Sequence, residues 1–104
     1  MSERKYNVYV APAAGDKLFA HIRFLGQVSL SAAERLYDAL CAAIDELEDN
    51  PRGYPLYTPL LPIDTGLHYK LCKKRYRIVF EIIDDTVYVY DIQDCRQDTD
   101  KNVV

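Results

Sequence analysis

Apolar and polar residues alternate through residues 67–98, LHYKLCKKRYRIVFEIIDDTVYVYDIQDCRQD, with almost no spacer between one alternating run and the next. Successive side chains of a strand point to opposite faces, so this pattern predicts a meander of three strands joined by very short turns. In the first run Leu67, Tyr69 and Leu71 share one face, and His68, Lys70 and Cys72 share the other. In the second, Tyr76, Ile78, Phe80 and Ile82 are uniformly apolar, whereas Arg77, Val79, Glu81 and Ile83 are mixed. In the third, Tyr88, Tyr90 and Ile92 oppose Val87, Val89 and Asp91, and Tyr76, Tyr88 and Tyr90 are assigned to the apolar side. Lys73-Lys74 serves the first turn. Asp84-Asp85 serves the second, because short acidic side chains bond back to the local backbone. One sheet face is then apolar and needs a cover. The other presents His68, Lys70, Arg77 and, past the third run, Arg96 as one basic group.

The upstream pattern supplies the cover. Residues 6–10 (YNVYV) alternate and read as a short first strand. Pro12 suits the first turn of a helix, where its missing N–H is harmless. Leu18, Ile22 and Leu25 then fall on one stripe, and Gly26 ends it. Ser29 and Ser31 are both candidate caps for a second helix, Ser31 having the capping-box spacing to Glu34. Ala33, Leu36, Tyr37, Leu40, Ile44 and Leu47 continue it at helical period until Asn50-Pro51-Arg52-Gly53 stops it. Residues 54–66, with three of the five prolines, read as an extended loop. The order β-α-α-β-β-β predicts a two-layer α+β domain, two helices on a four-stranded, mainly antiparallel sheet. That domain is assigned to residues 1–98, with residues 99–104 as a short polar tail.

With 104 residues and an apolar share of 49%, a single domain with a real core is expected. Residues 1–5 are charged and read as no signal peptide, and no apolar run is long enough to span a membrane. Cys41, Cys72 and Cys95 are odd in number and lack metal-ligand spacing, so a cytoplasmic location with free thiols is expected. No metal or cofactor motif is present. The net charge of −3 sets this chain apart from the strongly basic nucleic-acid binders. Its cations are concentrated, however: Lys70, Lys73, Lys74, Arg75 and Arg77 fall within eight positions, while acids crowd residues 38–49.

The element order, the strand Tyr76-Arg77-Ile78-Val79-Phe80-Glu81-Ile82, the run Asp84-Asp85-Thr86-Val87-Tyr88-Val89 and the ending Arg96-Gln97-Asp98 resemble the RelE/ParE superfamily. These are the toxins of type II toxin–antitoxin operons, often labelled plasmid stabilisation proteins. The resemblance covers nearly the whole chain. It implies a curved antiparallel sheet with two helices on one side and a small cognate antitoxin that wraps the toxin in a hetero-oligomer. RelE-like members cut mRNA in the ribosomal A site and block translation, whereas ParE-like members inhibit DNA gyrase and need no catalytic set.

Carried over by position, the RelE-like basic set falls on His68, where such toxins often carry a first lysine, and on Lys70, Arg77 and Arg96. The C-terminal tyrosine expected beyond Arg96 has no counterpart. A 2′-hydroxyl attack on RNA needs a base, an acid and cations that stabilise the phosphorane-like charge. The resemblance therefore casts His68 as acid or base, Lys70 as a charge stabiliser, and Arg77 and Arg96 as a phosphate grip. Lys73, Lys74, Arg75 and Tyr69 are candidates for substrate or partner contact. Against these roles, Glu81 and Asp91 offer Arg77 simple ion-pair partners, and His21 reads as a boundary side chain of the first helix. Tyr54, Tyr57 and Tyr69 are freer of the expected core and remain candidates for contact. The partial basic set favours a ribosome-dependent mRNA endoribonuclease that blocks translation; the alternatives are a gyrase inhibitor without an active site and a degenerate toxin that keeps only antitoxin binding.

Overall fold

The computed structural model describes residues 5–58 and 66–95. Arg96 and the tail assigned to residues 99–104 lie outside the described residues.

Strand β1 (Asn7–Val10) leads directly into α1 (Pro12–Gly26), which starts at Pro12 as expected and buries Ala14 and Leu18. Helix α2 (Leu30–Asp45) is capped by Ser29, whose Oγ accepts the Ala32 N–H at 3.1 Å; the expected capping box at Ser31 is not the one used. Leu36, Leu40 and Ile44 of α2 are buried, as is Leu47 in the 3-10 turn that extends the helix. Tyr37 departs from its assigned stripe. It is 42% exposed and stacks on Phe19 across the outer side of the helical pair. Asn50 takes a left-handed backbone, and a second 3-10 turn follows at Pro51–Gly53.

The remaining strands are β2 (Leu67–Cys72), β3 (Tyr76–Ile83) and β4 (Thr86–Asp94), with sheet order β1-β4-β3-β2. The two hairpins are antiparallel, and β1 pairs with β4 in parallel. Tyr57 and Pro55 hydrogen-bond to the free edge of β2, through Tyr57 N–H to Leu67 C=O at 2.7 Å and Tyr69 N–H to Pro55 C=O at 3.0 Å. Both helices lie on one face. Tyr76, Ile78 and Phe80 point into that layer and meet the α2 stripe, with Phe80 fully buried and Ile82 packed at the margin.

Two register features overturn expected parities. The β2–β3 connection has three residues between the paired Cys72 and Tyr76, not the two that Lys73-Lys74 alone would give. Lys73 and Lys74 sit at φ 56° and 58°, and the Arg75 N–H closes the turn onto the Cys72 carbonyl at 3.1 Å. Adding one residue to a hairpin loop moves a whole strand's side chains to the other face. Lys70 accordingly pairs with Ile78 and His68 with Phe80, so both side chains belong to the helix-covered face. Arg77 pairs with Leu71 and belongs to the opposite one. The expected single basic face of His68, Lys70 and Arg77 is not formed. In β4, the pairing steps from Val79↔Asp91 to Phe80↔Val89 and leaves Tyr90 as the extra residue of a bulge. Val87, Val89 and Ile92 therefore all reach the core, whereas Tyr88 and Tyr90 lie on the helix-free face, stacked on one another and 6.5 Å apart.

Phe80→Ala is expected to destabilise the fold by about 3–5 kcal/mol, a large-to-small change at the centre of the core, measured by urea unfolding. Tyr90→Ala, at an exposed bulge, is expected to cost well under about 1 kcal/mol in the same assay.

Candidate functional site

The cations singled out from the sequence occupy three separate places. The first lies under the end of α2. Lys70 Nζ donates to the Ala43 carbonyl at 2.9 Å and to Glu46 Oε1 at 2.6 Å, and sits 5.4 Å from the centre of the Tyr54 ring. Its side chain is only 11% exposed. The last turn of α2 has no basic residue of its own, and Lys70 brings a cation from β2 to the negative end of the helix dipole. His68 lies beside it. Its ring stacks on Phe80 with centroids 5.6 Å apart, and Nδ1 is 2.8 Å from the Tyr54 carbonyl. Both side chains are held by the core layer.

The second place is the helix-free face. Arg77 Nη1 donates to Gln93 Oε1 at 2.7 Å, and its guanidinium is flanked by the rings of Tyr57 and Tyr69 at 5.5 and 5.7 Å. Gln93 Nε2 also donates to Asp91 Oδ2 at 3.1 Å, and Asp91 accepts from Lys17 Nζ at 2.8 Å. Burial pushes the Asp91 carboxyl up, but the hydrogen bonds from Lys17 and Gln93 together hold it below the usual carboxylate range. Tyr69, a candidate contact residue, is thus part of the setting of Arg77. Glu81, considered as a partner for Arg77, accepts from the Tyr90 hydroxyl at 2.9 Å.

The third place is the β2–β3 turn. Lys73 and Lys74 are exposed there. Arg75 makes a two-pronged pair with Asp94, Nε to Oδ1 at 3.3 Å and Nη2 to Oδ2 at 3.0 Å, and lies 5.0 Å from the Tyr76 ring centre. The Asp94 side chain is 3% exposed. The hydrogen bond to Asp94 raises the Arg75 pKa further, so the guanidinium keeps its charge at any ordinary pH. Asp94 escaped the sequence reading. Its signal was an acid two residues after core Ile92, on the strand facing Tyr76.

His68 and Lys70 are therefore neighbours, Arg77 is separated from them by the sheet itself, and Arg75 is committed to a buried acid. His21 is at the core margin as expected, its Nε2 2.7 Å from the Ile92 carbonyl. Among the described residues, no group of three His, Cys, Asp or Glu side chains is close enough to hold a metal ion, and no helix is long and apolar enough to cross a membrane.

Lys70 lowers the Glu46 pKa, through its hydrogen bond first and its charge second. A carboxyl with a depressed folded pKa contributes stability above its unfolded pKa and loses it as pH falls through the folded value. Glu46→Gln is expected to remove a small contribution at neutral pH that the wild type itself loses in acid. Urea midpoints of the two proteins should converge below the usual carboxylate range. Lys70→Ala should cost about 1–3 kcal/mol at neutral pH, since it removes a largely buried charged donor.

The family model described as ParE toxin of the type II toxin–antitoxin system, parDE, matches residues 8–99. Among solved structures, the chromosomal ParDE toxin–antitoxin system of P. aeruginosa aligns with a TM-score of 0.72 at 9% identity. That alignment covers 88% of this chain and 98% of that one. The RelBE2 toxin–antitoxin complex of Mycobacterium tuberculosis aligns with a TM-score of 0.60 at 18% identity, covering 89% of this chain and 94% of that one. No curated protein sequence matches. The structural likenesses agree with the two helices and the mainly antiparallel four-stranded sheet described above, and the family model spans nearly all of the chain: it belongs to the ParE toxin family of type II toxin–antitoxin systems.

Proposed function

We propose that this toxin acts by binding its target and not by cutting RNA, as a ParE-like inhibitor of DNA gyrase held in check by a cognate antitoxin. The observation that carries this reading is the division of the candidate set by the sheet: His68 and Lys70 on the helix-covered face, Arg77 on the other. A base, an acid and the stabilising cations of a transesterification must all reach one phosphate within hydrogen-bonding distance. Lys70 is further tied to the Ala43 carbonyl and Glu46, and His68 to the Tyr54 carbonyl. The net charge of −3 also works against the approach of a polyanion. A protein-binding inhibitor needs none of these groups gathered together.

The second reading, ribosome-dependent mRNA cleavage, rests on Arg77. It lies between two tyrosine rings on the helix-free face, an arrangement suited to gripping a phosphate beside a stacked base. In that reading Arg77 and Arg96 supply the charge, and His68 and Lys70 drop out of the chemistry.

Purified toxin is tested in a gyrase supercoiling assay and, in parallel, by primer extension on mRNA in stalled ribosomes. The expected outcome is supercoiling that falls with toxin concentration and returns when antitoxin is added, with the mRNA intact. Cleaved mRNA with unaffected supercoiling would reverse the assignment, and in that case Arg77→Ala would abolish cutting. Silence in both assays would identify a degenerate toxin.

A further inference from the structure

Where the start of α2 and the end of α1 meet the β2–β3 turn, the surface forms a pocket of about 270 Å³. Its floor is apolar: half-buried Leu25 and Ala32, laid over the buried Leu36 and Tyr76. Its rim carries three cations, Arg35, Lys73 and Arg75, and no aspartate or glutamate lines it. The three are not equivalent. Arg75 is already matched by Asp94. Arg35 and Lys73 are exposed and form no ion pair with another described residue. On a chain of net charge −3, this corner holds two uncompensated positive charges above an oily floor. Arg35 was not singled out by its sequence context, since it lies in a helix far from the basic cluster of residues 70–77 and joins it only in the fold.

We propose that this pocket seats an acidic amphipathic segment of the antitoxin, with a carboxylate between Arg35 and Lys73 and an adjacent aliphatic side chain on Leu25 and Ala32. The inference rests on the reading of the chain as the toxin of a toxin–antitoxin pair and adds where the antitoxin docks and with what chemistry. Two features favour a peptide over nucleic acid. The floor offers contact to an aliphatic side chain, which a phosphodiester backbone does not carry. The chain's overall negative field, moreover, opposes a long polyanion more than it opposes one local carboxylate. The backbone also helps: Lys73 is held in the left-handed region by the hydrogen-bonded turn, so only its side chain has order to gain on binding.

The test titrates the antitoxin encoded beside the toxin onto wild type, Arg35→Glu, Lys73→Glu and Arg52→Glu by calorimetry, at about 50 and about 300 mM salt. Arg52 is an exposed cation outside the pocket, so its reversal changes net charge equally without touching the seat. Thermal melts confirm that each variant is folded. The expected result is at least about tenfold weaker binding for Arg35→Glu and Lys73→Glu, less so at the higher salt, with Arg52→Glu within about twofold of wild type. An acid-to-lysine change in the antitoxin that restores binding to Arg35→Glu would fix the pairing. Unchanged affinity for both pocket variants overturns the inference, as does an equal loss in Arg52→Glu, which would mean long-range attraction alone. A second arm follows amide shifts with an acetylated hexapeptide of alternating leucine and glutamate, and with its glutamine counterpart as control. If no antitoxin binds the wild type, the toxin–antitoxin reading fails. Shifts confined to the pocket would then still support its chemistry, and their absence would overturn that too. Single-stranded oligonucleotide binding that is lost in both pocket variants would overturn the peptide assignment in favour of phosphate.

Discussion

The register of the β2–β3 hairpin is the constraint on which the disposition of charge depends. The turn contains three residues, and its closure by Arg75 onto Cys72 places Tyr76 opposite Cys72. Since side chains alternate strictly, that single offset decides which of two functional groups faces the helices and which faces outward. A two-residue turn would have joined Lys70, His68 and Arg77 on one face while sending Tyr76, Ile78 and Phe80 to the side opposite Cys72. The observed offset instead puts Cys72 and the aliphatic part of Lys70 alongside the most apolar strand of the protein, where their burial is favourable.

Each buried charge that this arrangement creates is answered locally. Lys70 satisfies the end of α2 and an exposed glutamate, and Arg75 meets Asp94 in a two-pronged geometry. Such pairs add little net stability compared with apolar replacements, but removing one partner leaves an uncompensated charge in the low-dielectric layer. They act mainly as fixed points: Lys70 ties β2 to α2, and Arg75 with Asp94 ties the hairpin turn to the end of β4. The helix-free face is organised differently. Tyr9, Tyr88 and Tyr90 form an aromatic row along β1 and β4, while Arg77, Tyr57, Tyr69 and Gln93 interlock on β3 and its neighbours. One sheet thus serves as a hydrophobic floor on one side and a polar-aromatic surface on the other.

Elements and their order were legible in the sequence because periodicity and punctuation are local. Pro12, Asn50-Pro51 and Asp84-Asp85 each sit where the pattern predicted a start, a stop or a turn, and the stripe Leu36, Leu40, Ile44 meets the side of β3 carrying Ile78 and Phe80. What escaped was phase. The extra turn residue before Tyr76 and the bulge at Tyr90 each shift a strand by one position. Neither leaves a compositional trace, because lysines and tyrosines are tolerated at both faces of a strand. The candidate site inherited that error: its residue types were visible, but their common face was an assumption about register. Asp94 and Arg35 were missed for a different reason, since each gains its role only from a side chain far away in sequence.

The parallel pairing of β1 with β4 joins Val8 to Val87, so the first described strand has its sheet partner in the last described one. The helices between them cannot be sealed against a complete floor until that strand arrives. Long-range closure of this kind makes folding late and cooperative, because the loop entropy is spent before the contacts that compensate it can form. Without β4, β1 has no ladder to join and the two helices lose the strand that carries Val87, Val89 and Ile92, so no smaller piece of this sheet keeps the core.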